Sequence, residues 1–223
     1  MKKCILIFSV LAIFETSLHA HKSVTLNYSP IKSQQVKVEI PAIATDKATL
    51  IKLSQDVRVK AFLDLLAHGE GTSYHPEVRI AADQYRISFC NKGKLTTFKD
   101  HPRERCCNSV GNRIICATAA GRYMFLQKTW DWVKSSIELR DFSPVNQDIA
   151  AVFLLVVSGA MHEILRNNIK GAITKASRFW APMPGNMYNQ PQTKIAELLR
   201  IYEKQLNFYQ TFSFSYPQRK GRL

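Results

Sequence analysis

Residues 63–72 read LDLLAHGEGT, an apolar helical pattern that runs into one glutamate between two glycines. Upstream, apolar residues at positions 59, 62, 63 and 66 recur at the spacing that places side chains on one face of a helix. Asp56 is a residue type that caps helix N-termini, and Gly69 and Gly71 both allow backbone conformations that end a helix. The segment therefore predicts a helix with one buried face that ends beside Glu70.

The position of Glu70 favours a protonated carboxyl. A carboxylate at a helix C-terminus faces the negative end of the helix dipole, and partial burial adds desolvation. Both effects raise the pKa of the side chain. A glutamic acid that keeps its proton near neutral pH can donate it to a leaving oxygen, which cleavage of a glycosidic bond requires. The alternative is that Glu70 is a solvated loop acid next to a capping glycine.

Composition and charge bound the class of protein. The chain has 223 residues, 46% of them hydrophobic, and this is enough for one main domain. Residues 1–20 combine two lysines, a short apolar run and small residues before a cleavage point, which predicts a secretory signal peptide and a periplasmic or secreted protein; a retained membrane anchor is the alternative. The net charge of +14 indicates an anionic partner, and export makes a cell-wall polymer or membrane surface a better match than nucleic acid.

Four cysteines follow the signal segment: Cys90, Cys106, Cys107 and Cys116. In an oxidising compartment they predict two disulfides. A bond between the adjacent Cys106 and Cys107 would strain the backbone, so we expect each of them to pair with Cys90 or Cys116, in either combination. A zinc site that also uses His101 is the alternative, although the spacing lacks a CxxC pair.

The remaining chain divides into predicted elements. Residues 21–55 are polar and predict an extension or linker. Residues 85–89 and 95–98 alternate like the two strands of a hairpin. Helices are predicted at 121–136, from 143 to about 166, at 169–179 and at 193–206, and the second of these is apolar on all sides, as in a central buried helix. Residues 208–223 predict a basic tail. No nucleotide-binding, serine-hydrolase or zincin motif is present, so we expect no cofactor and no metal.

Six ordered sequence blocks resemble the bacteriophage lambda lysozyme (endolysin) family. They span about two-thirds of the chain, and their order and spacing are close to those of the family. The blocks are VKAFLDLLA with EGT (59–72), DHPR (100–103), AGRY (120–123), DFSP with QD (141–148), WA (180–181), and PG with Tyr188 and Gln190.

The resemblance implies an α+β, lysozyme-like fold, mainly helical, with a small β-hairpin lobe flanking a cleft, over residues 56–207. It also implies a lytic transglycosylase that acts as a monomer on peptidoglycan glycan strands and leaves 1,6-anhydromuramyl ends. Glu70 corresponds to the glutamate of the family's EGT motif, which is the catalytic acid. Arg122, Tyr123, Tyr188 and Gln190 are the corresponding candidates for substrate binding.

Two departures keep other functions open. Met124 stands where the family usually has glutamine, and Arg86 stands where related chains tend to have an acid. These changes motivate the hypothesis of a cell-wall-binding protein that has lost turnover. A muramidase that admits water is a further alternative, because its substrate and its acid are the same.

Overall fold

The computed structural model describes residues 46–90, 93–110, 113–187 and 191–215, together with the backbone of two short strands at 24–26 and 36–38. The predicted signal peptide, Tyr188, Gln190 and residues 216–223 lie outside the described residues. The helices are α1 (Lys47–Ser54), α2 (Val57–Gly69), α3 (Gln127–Ser136), α4 (Pro144–Val157), α5 (Ala160–Leu165), α6 (Ile169–Ala176) and α7 (Ile195–Ser215). The strands form two antiparallel pairs, β1 (Val24–Leu26) with β2 (Val36–Val38) and β3 (Cys106–Val110) with β4 (Arg113–Ala117).

Helix α2 begins and ends as its sequence predicts. The carboxylate of Asp56 accepts a hydrogen bond from the backbone N–H of Arg58 at 2.8 Å, which caps the N-terminus. The helix ends at Gly69, and the left-handed conformation that turns the chain is at Gly71, with φ of +75°. Its apolar face is fully buried, and the helix packs along α7. Glu70 is therefore held at the end of a rigid element.

Helix α4 is the central helix of the core. Every residue from Ile149 to Val157 is buried, as the all-apolar pattern predicts. The prediction that this helix runs to about residue 166 is wrong, because Gly159 adopts a φ of +77° and separates α4 from α5. Helix α1 lies in the segment predicted to be an extension or linker, yet it contacts α4, and its Leu50 is fully buried in the core.

The segment before α3 is a tight turn and not the first part of a helix, which we predicted to begin at residue 121. Gly121 has a φ of +79° and Met124 a φ of +47°, and Ala120 and Phe125 exchange two backbone hydrogen bonds across the turn. A Cβ at residue 121 would overlap the Oε1 atom of Gln147 and lie 2.8 Å from Cζ of Phe142. Only glycine fits this position.

We expect Gly121→Ala to lower the free energy of unfolding by about 2–4 kcal/mol, because strain at positive φ adds to overpacking. Gly93→Ala is the matched control. Gly93 also has a positive φ, of +86°, but nothing lies within 4 Å of its added Cβ. The control should lose only the strain contribution of about 1 kcal/mol. Chemical denaturation of both variants measures the difference, and equal losses would contradict the packing around Gly121.

The β-hairpin lobe is present, but it lies later in the chain than predicted. The strand predicted at 85–89 is not formed, and its first two residues belong to a 3₁₀-helix, Ala81–Arg86. The carboxylate of Asp83 stabilises this helix by accepting hydrogen bonds from the backbone N–H groups of Arg79 and Ile80 at 2.8 and 3.1 Å. The hairpin is formed by β3 and β4, in a register that pairs Cys107 with Cys116.

The four cysteines form two disulfides, Cys90–Cys106 and Cys107–Cys116. The first ties the preceding loop to β3, and the second crosses the hairpin. The zinc alternative is wrong, because all four cysteines proposed as its ligands are disulfide-bonded and both ring nitrogens of His101 are hydrogen-bonded to the backbone. Nε2 of His101 donates to the carbonyl of Phe125 at 2.8 Å, and Nδ1 accepts from the backbone N–H of Arg103 at 3.1 Å.

The last two helices differ from prediction at their C-terminal ends. Helix α6 ends at Ala176, short of residue 179, and α7 continues to Ser215, past residue 206 and into the predicted basic tail. Among the described residues, no helix combines the length and the apolar character that a bilayer crossing needs. The longer α7 adds side chains to a buried polar network described below.

Candidate active site

Glu70 is fixed by backbone contacts on both sides. Its N–H donates to the carbonyl of Leu66 at 2.8 Å, which continues the helical pattern, and the N–H of Gly71 donates to the carbonyl of His68 at 2.9 Å. Thr72 follows, and its hydroxyl lies 3.0 Å from the carbonyl of Ala67 and 2.7 Å from that of Arg122. The EGT segment thus connects the end of α2 to the turn that carries Arg122.

The carboxyl group of Glu70 is buried without a partner. The residue is 1% exposed, and neither of its side-chain oxygens has a hydrogen-bond partner among the residues that the structure describes. Burial raises the pKa of Glu70 well above the ordinary value of 4.5, since desolvation disfavours the charged form. An unpaired ion at such a depth is costly, so the group holds a proton and can donate it to an acceptor that enters the site.

This burial links the stability of the protein to pH. Above pH 4.5 the unfolded chain loses the Glu70 proton while the folded chain keeps it, so the unfolded state binds fewer protons and the free energy of unfolding falls as pH rises. The maximal slope from one group is about 1.4 kcal/mol per pH unit, and it continues up to the folded-state pKa. We expect the stability of the wild type relative to Glu70→Gln to decline with this sign in thermal unfolding between pH 4 and pH 8. Parallel pH profiles would contradict a raised pKa.

Arg122 lies at the centre of a second buried group of polar residues. Its guanidinium forms an ion pair with Asp64 of α2 and donates to the hydroxyl of Tyr123 at 2.8 Å. It also donates to Gln84 and Tyr85, at 3.1 and 3.2 Å. These contacts tie α2, the 3₁₀-helix Ala81–Arg86 and the turn at 121–124 together.

Asp148 of α4 completes this network. It accepts hydrogen bonds from the hydroxyl of Tyr123 at 2.6 Å and from that of Tyr85 at 3.0 Å, and it lies 3.7 Å from Nη1 of Arg122. Burial raises the pKa of Asp148, and the positive charge of Arg122 and the two hydroxyls oppose that shift. Burial likewise raises the pKa of Tyr85 to about 12. The carboxylate of Asp148 and the hydroxyls of Tyr85 and Tyr123 are therefore hydrogen-bonded to one another.

Several members of this network were not identified from the sequence as site residues. Gln147 is fully buried, donates to the carbonyls of Tyr85 and Phe142 and accepts from the N–H of Arg122. The hydroxyl of Tyr209 donates to Asp64 at 2.8 Å. One signal was available for Asp64, which is an acid within the otherwise apolar run at residues 61–67. The members of the network come from five separate segments of the chain, and no local pattern links them.

The residues of the blocks that resemble the family, including the predicted site residues, have different environments. Thr72 connects the Glu70 segment to Arg122, and the indole N–H of Trp180 donates to the carbonyl of Tyr123 at 3.2 Å. Tyr123 is fully buried and Arg122 is 9% exposed, so substrate contact by either stays a prediction. Tyr188 and Gln190 lie outside the described residues.

The two departures from the family pattern have structural partners. Met124 is buried in a small apolar cluster with Ile87 and Phe89. Arg86 donates to the carbonyl of Leu95 at 2.5 Å, and its guanidinium lies 4.1 Å from the ring centre of Phe98. Both side chains therefore take part in packing the segment that precedes the hairpin.

Sequence comparisons find one matching family model and relatives from two phages. A family model described as Endolysin matches residues 60–207. The endolysin of Escherichia phage lambda is 35% identical over 146 residues, which cover 65% of this chain and 89% of that protein. The endolysin of Escherichia phage P2 is 32% identical over 149 residues, which cover 65% of this chain and 90% of that protein.

Solved structures agree with these relatives. Bacteriophage lambda lysozyme complexed with a chitohexasaccharide superposes with a TM-score of 0.60 at 32% identity, covering 67% of this chain and 94% of that one. Another structure of lysozyme from bacteriophage lambda gives a TM-score of 0.55 at 28% identity, covering 70% and 94%. The predicted α+β, lysozyme-like fold with its small hairpin lobe is confirmed.

Proposed function

The chain belongs to the endolysin family, and from this premise we propose that it is an exported lytic transglycosylase of peptidoglycan. Glu70 is its single acid and base, and the bond cleaved is the β-1,4 link from N-acetylmuramic acid to N-acetylglucosamine. The observation that carries this proposal is the Glu70 carboxyl, which is buried, unpaired among the described residues and raised in pKa.

The proposed reaction needs one carboxyl group. Glu70 donates its proton to the glycosidic oxygen as the bond to the muramic acid C1 breaks. The C6 hydroxyl of the same muramic acid attacks C1, and the Glu70 carboxylate accepts the proton that this hydroxyl loses. The products are a 1,6-anhydro end and a free N-acetylglucosamine hydroxyl, and Glu70 returns to its protonated form. No water is consumed.

The other acids near this part of the fold support a mechanism with one carboxyl group. A hydrolase usually needs a second carboxylate to activate water or to act as the nucleophile. Asp64 is bound by Arg122 and Tyr209, and Asp148 is bound by Tyr85 and Tyr123. Neither carboxylate is available for that task in this arrangement.

The choice of substrate rests on charge and on the relatives. The net charge of +14 suits an anionic wall polymer, and the lambda lysozyme neighbour was solved with a chitohexasaccharide, a chain of linked amino sugars. In our proposal the protein is a monomer, its signal peptide is residues 1–20, and it reaches the periplasm or the exterior. Tyr188, Gln190, Arg122 and Tyr123 are proposed to bind the glycan.

The test is the identity of the products from peptidoglycan sacculi. Purified oxidised protein and its Glu70→Gln variant are incubated with sacculi, and the released muropeptides are identified by mass spectrometry. Anhydromuramyl ends from the wild type alone are expected. Products one water heavier would show that the protein is a muramidase and not a transglycosylase. Binding to sacculi without release would favour the cell-wall-binding protein suggested by Met124 and Arg86.

A further inference from the structure

A pocket of about 500 Å³ lies beside α2. It is lined by α2, Ser73, the 3₁₀-helix Ala81–Arg86, Arg122 and the middle of α7, at residues 201–209. Asp64 and His68, four residues apart and so on one face of α2, line it, whereas Glu70 is not among its lining residues. Its volume is within the range of about 300–1,000 Å³ that is typical of small-molecule sites.

The base of this pocket is polar and nearly balanced in charge. Arg122 is buried there between Asp64 and Asp148, so its positive charge is compensated inside the protein. Lys204 also lines the pocket, and His68 is paired with Glu197 at 2.8 Å. A site of this kind offers hydrogen bonds without strong attraction for an ion of either sign, which favours a neutral polar ligand.

The walls combine aromatic rings with amide groups. Tyr85, Phe208 and Tyr209 line the pocket together with Gln84 and Gln205. The rings of Phe208 and Tyr209 are 5.4 Å apart, and Phe208 is 49% exposed at the rim. Oε1 of Gln84 accepts from Arg122, which fixes the orientation of that amide. Aromatic faces pack against the C–H faces of sugar rings, and amides pair with their hydroxyl and acetamido groups.

Two of the aromatic residues come from a part of the chain that the family match does not include. The match ends at residue 207, and α7 continues through Phe208 and Tyr209 to Ser215. Tyr209 also donates to Asp64 at 2.8 Å, which holds the end of α7 against α2. The rim of the pocket is therefore built by the helical extension that the sequence pattern had assigned to a tail.

We propose that this pocket is a second saccharide-binding site, which holds one or two N-acetylated sugar rings of a glycan strand away from Glu70. The identity of the polymer as peptidoglycan rests on the proposed function, whereas the site itself rests on the rings, amides and balanced charge described above. A glycan held there would keep the enzyme on an insoluble substrate between cleavage events.

The test is a residue-specific binding measurement on the full-length protein carrying Glu70→Gln, which prevents turnover. The probe is the β-1,4-linked tetrasaccharide of N-acetylglucosamine, followed by amide NMR. We expect saturable shifts in the side-chain amides of Gln84 and Gln205. Phe208→Leu should weaken the affinity measured at these amides about tenfold, whereas Phe208→Tyr, which keeps the ring, should not. Because Phe208 is half-exposed, both variants should melt like the parent.

The outcomes separate this inference from the proposed function. Absence of saturable shifts at Gln84 and Gln205 would overturn the second site, and so would shifts caused by a peptidoglycan stem peptide but not by the saccharide. Equal affinity in the Phe208→Leu and Phe208→Tyr variants would also overturn it. Release of muropeptides from sacculi by the wild type is measured independently, so failure of Glu70 catalysis leaves the binding result intact, and the reverse also holds.

Discussion

Replacement of Glu70 by glutamine is expected to reduce the release of soluble muropeptides from sacculi by about 10²–10⁴-fold. Glutamine has the same size and, like the protonated carboxyl, no charge, so the buried position should accept it. It has no proton to donate to the glycosidic oxygen and cannot accept one from the attacking hydroxyl. The initial rate of release, followed by chromatography of the soluble products, measures the effect.

The matched control is Glu203→Gln on α7. Glu203 is exposed, so the same change removes a surface charge and should leave the rate unchanged within about twofold. Thermal unfolding of both variants at pH 5, where the folded wild type holds the Glu70 proton, should show that each is folded. A Glu70→Gln variant that is folded and still releases muropeptides at more than a tenth of the wild-type rate would remove Glu70 from the reaction.

Replacement of Arg122 by methionine is expected to have the largest effect on stability. It leaves Asp64 and Asp148, which are 14% and 29% exposed at their side chains, without the positive charge between them. Breaking a buried ion pair from one side costs about 3–5 kcal/mol, because the remaining charge stays desolvated and uncompensated. Chemical denaturation should show a loss of this size, and combining the change with Asp64→Asn should recover part of it.

Arg103→Met tests whether burial is the cause. Arg103 also lies between two acids, Asp100 and Asp131, at 2.9 and 2.6 Å, but its side chain is 39% exposed and those of its partners are 35% and 40% exposed. Exposed pairs contribute about 0–1 kcal/mol, so this variant should lose much less than Arg122→Met. Similar losses in the two variants would contradict the buried network.

Local signals allowed α2 and the position of Glu70 to be predicted from the sequence. A capping aspartate, an apolar face and two glycines lie within sixteen residues of one another, and each acts through the backbone of its own segment. The burial of the central helix α4 was equally predictable, because a helix that is apolar on all sides is stable only inside the protein. The glycine that ends it was overlooked within a continuous helical pattern.

The hairpin and the end of α7 show where local patterns fail. Residues 85–89 alternate like a strand, but the carboxylate of Asp83 binds two backbone N–H groups and stabilises a 3₁₀-helix that includes residues 85 and 86. The residues after 207 predict a basic tail because the partner of Tyr209 is Asp64, 145 positions earlier. Long separations in sequence also prevented prediction of the network around Arg122, most of whose members meet only in the folded chain.

The most direct test of the central claim is the pKa of Glu70 itself. The side-chain carboxyl carbon of glutamate can be followed by ¹³C NMR through a pH titration of the folded protein, with Glu70→Gln used to assign its signal. We predict that this carbon titrates well above the ordinary pKa of 4.5 and that muropeptide release declines as pH rises through the same value. A Glu70 carboxyl that ionises near 4.5 in the folded protein, with release unchanged up to pH 8, would contradict the account of a buried acid that acts alone.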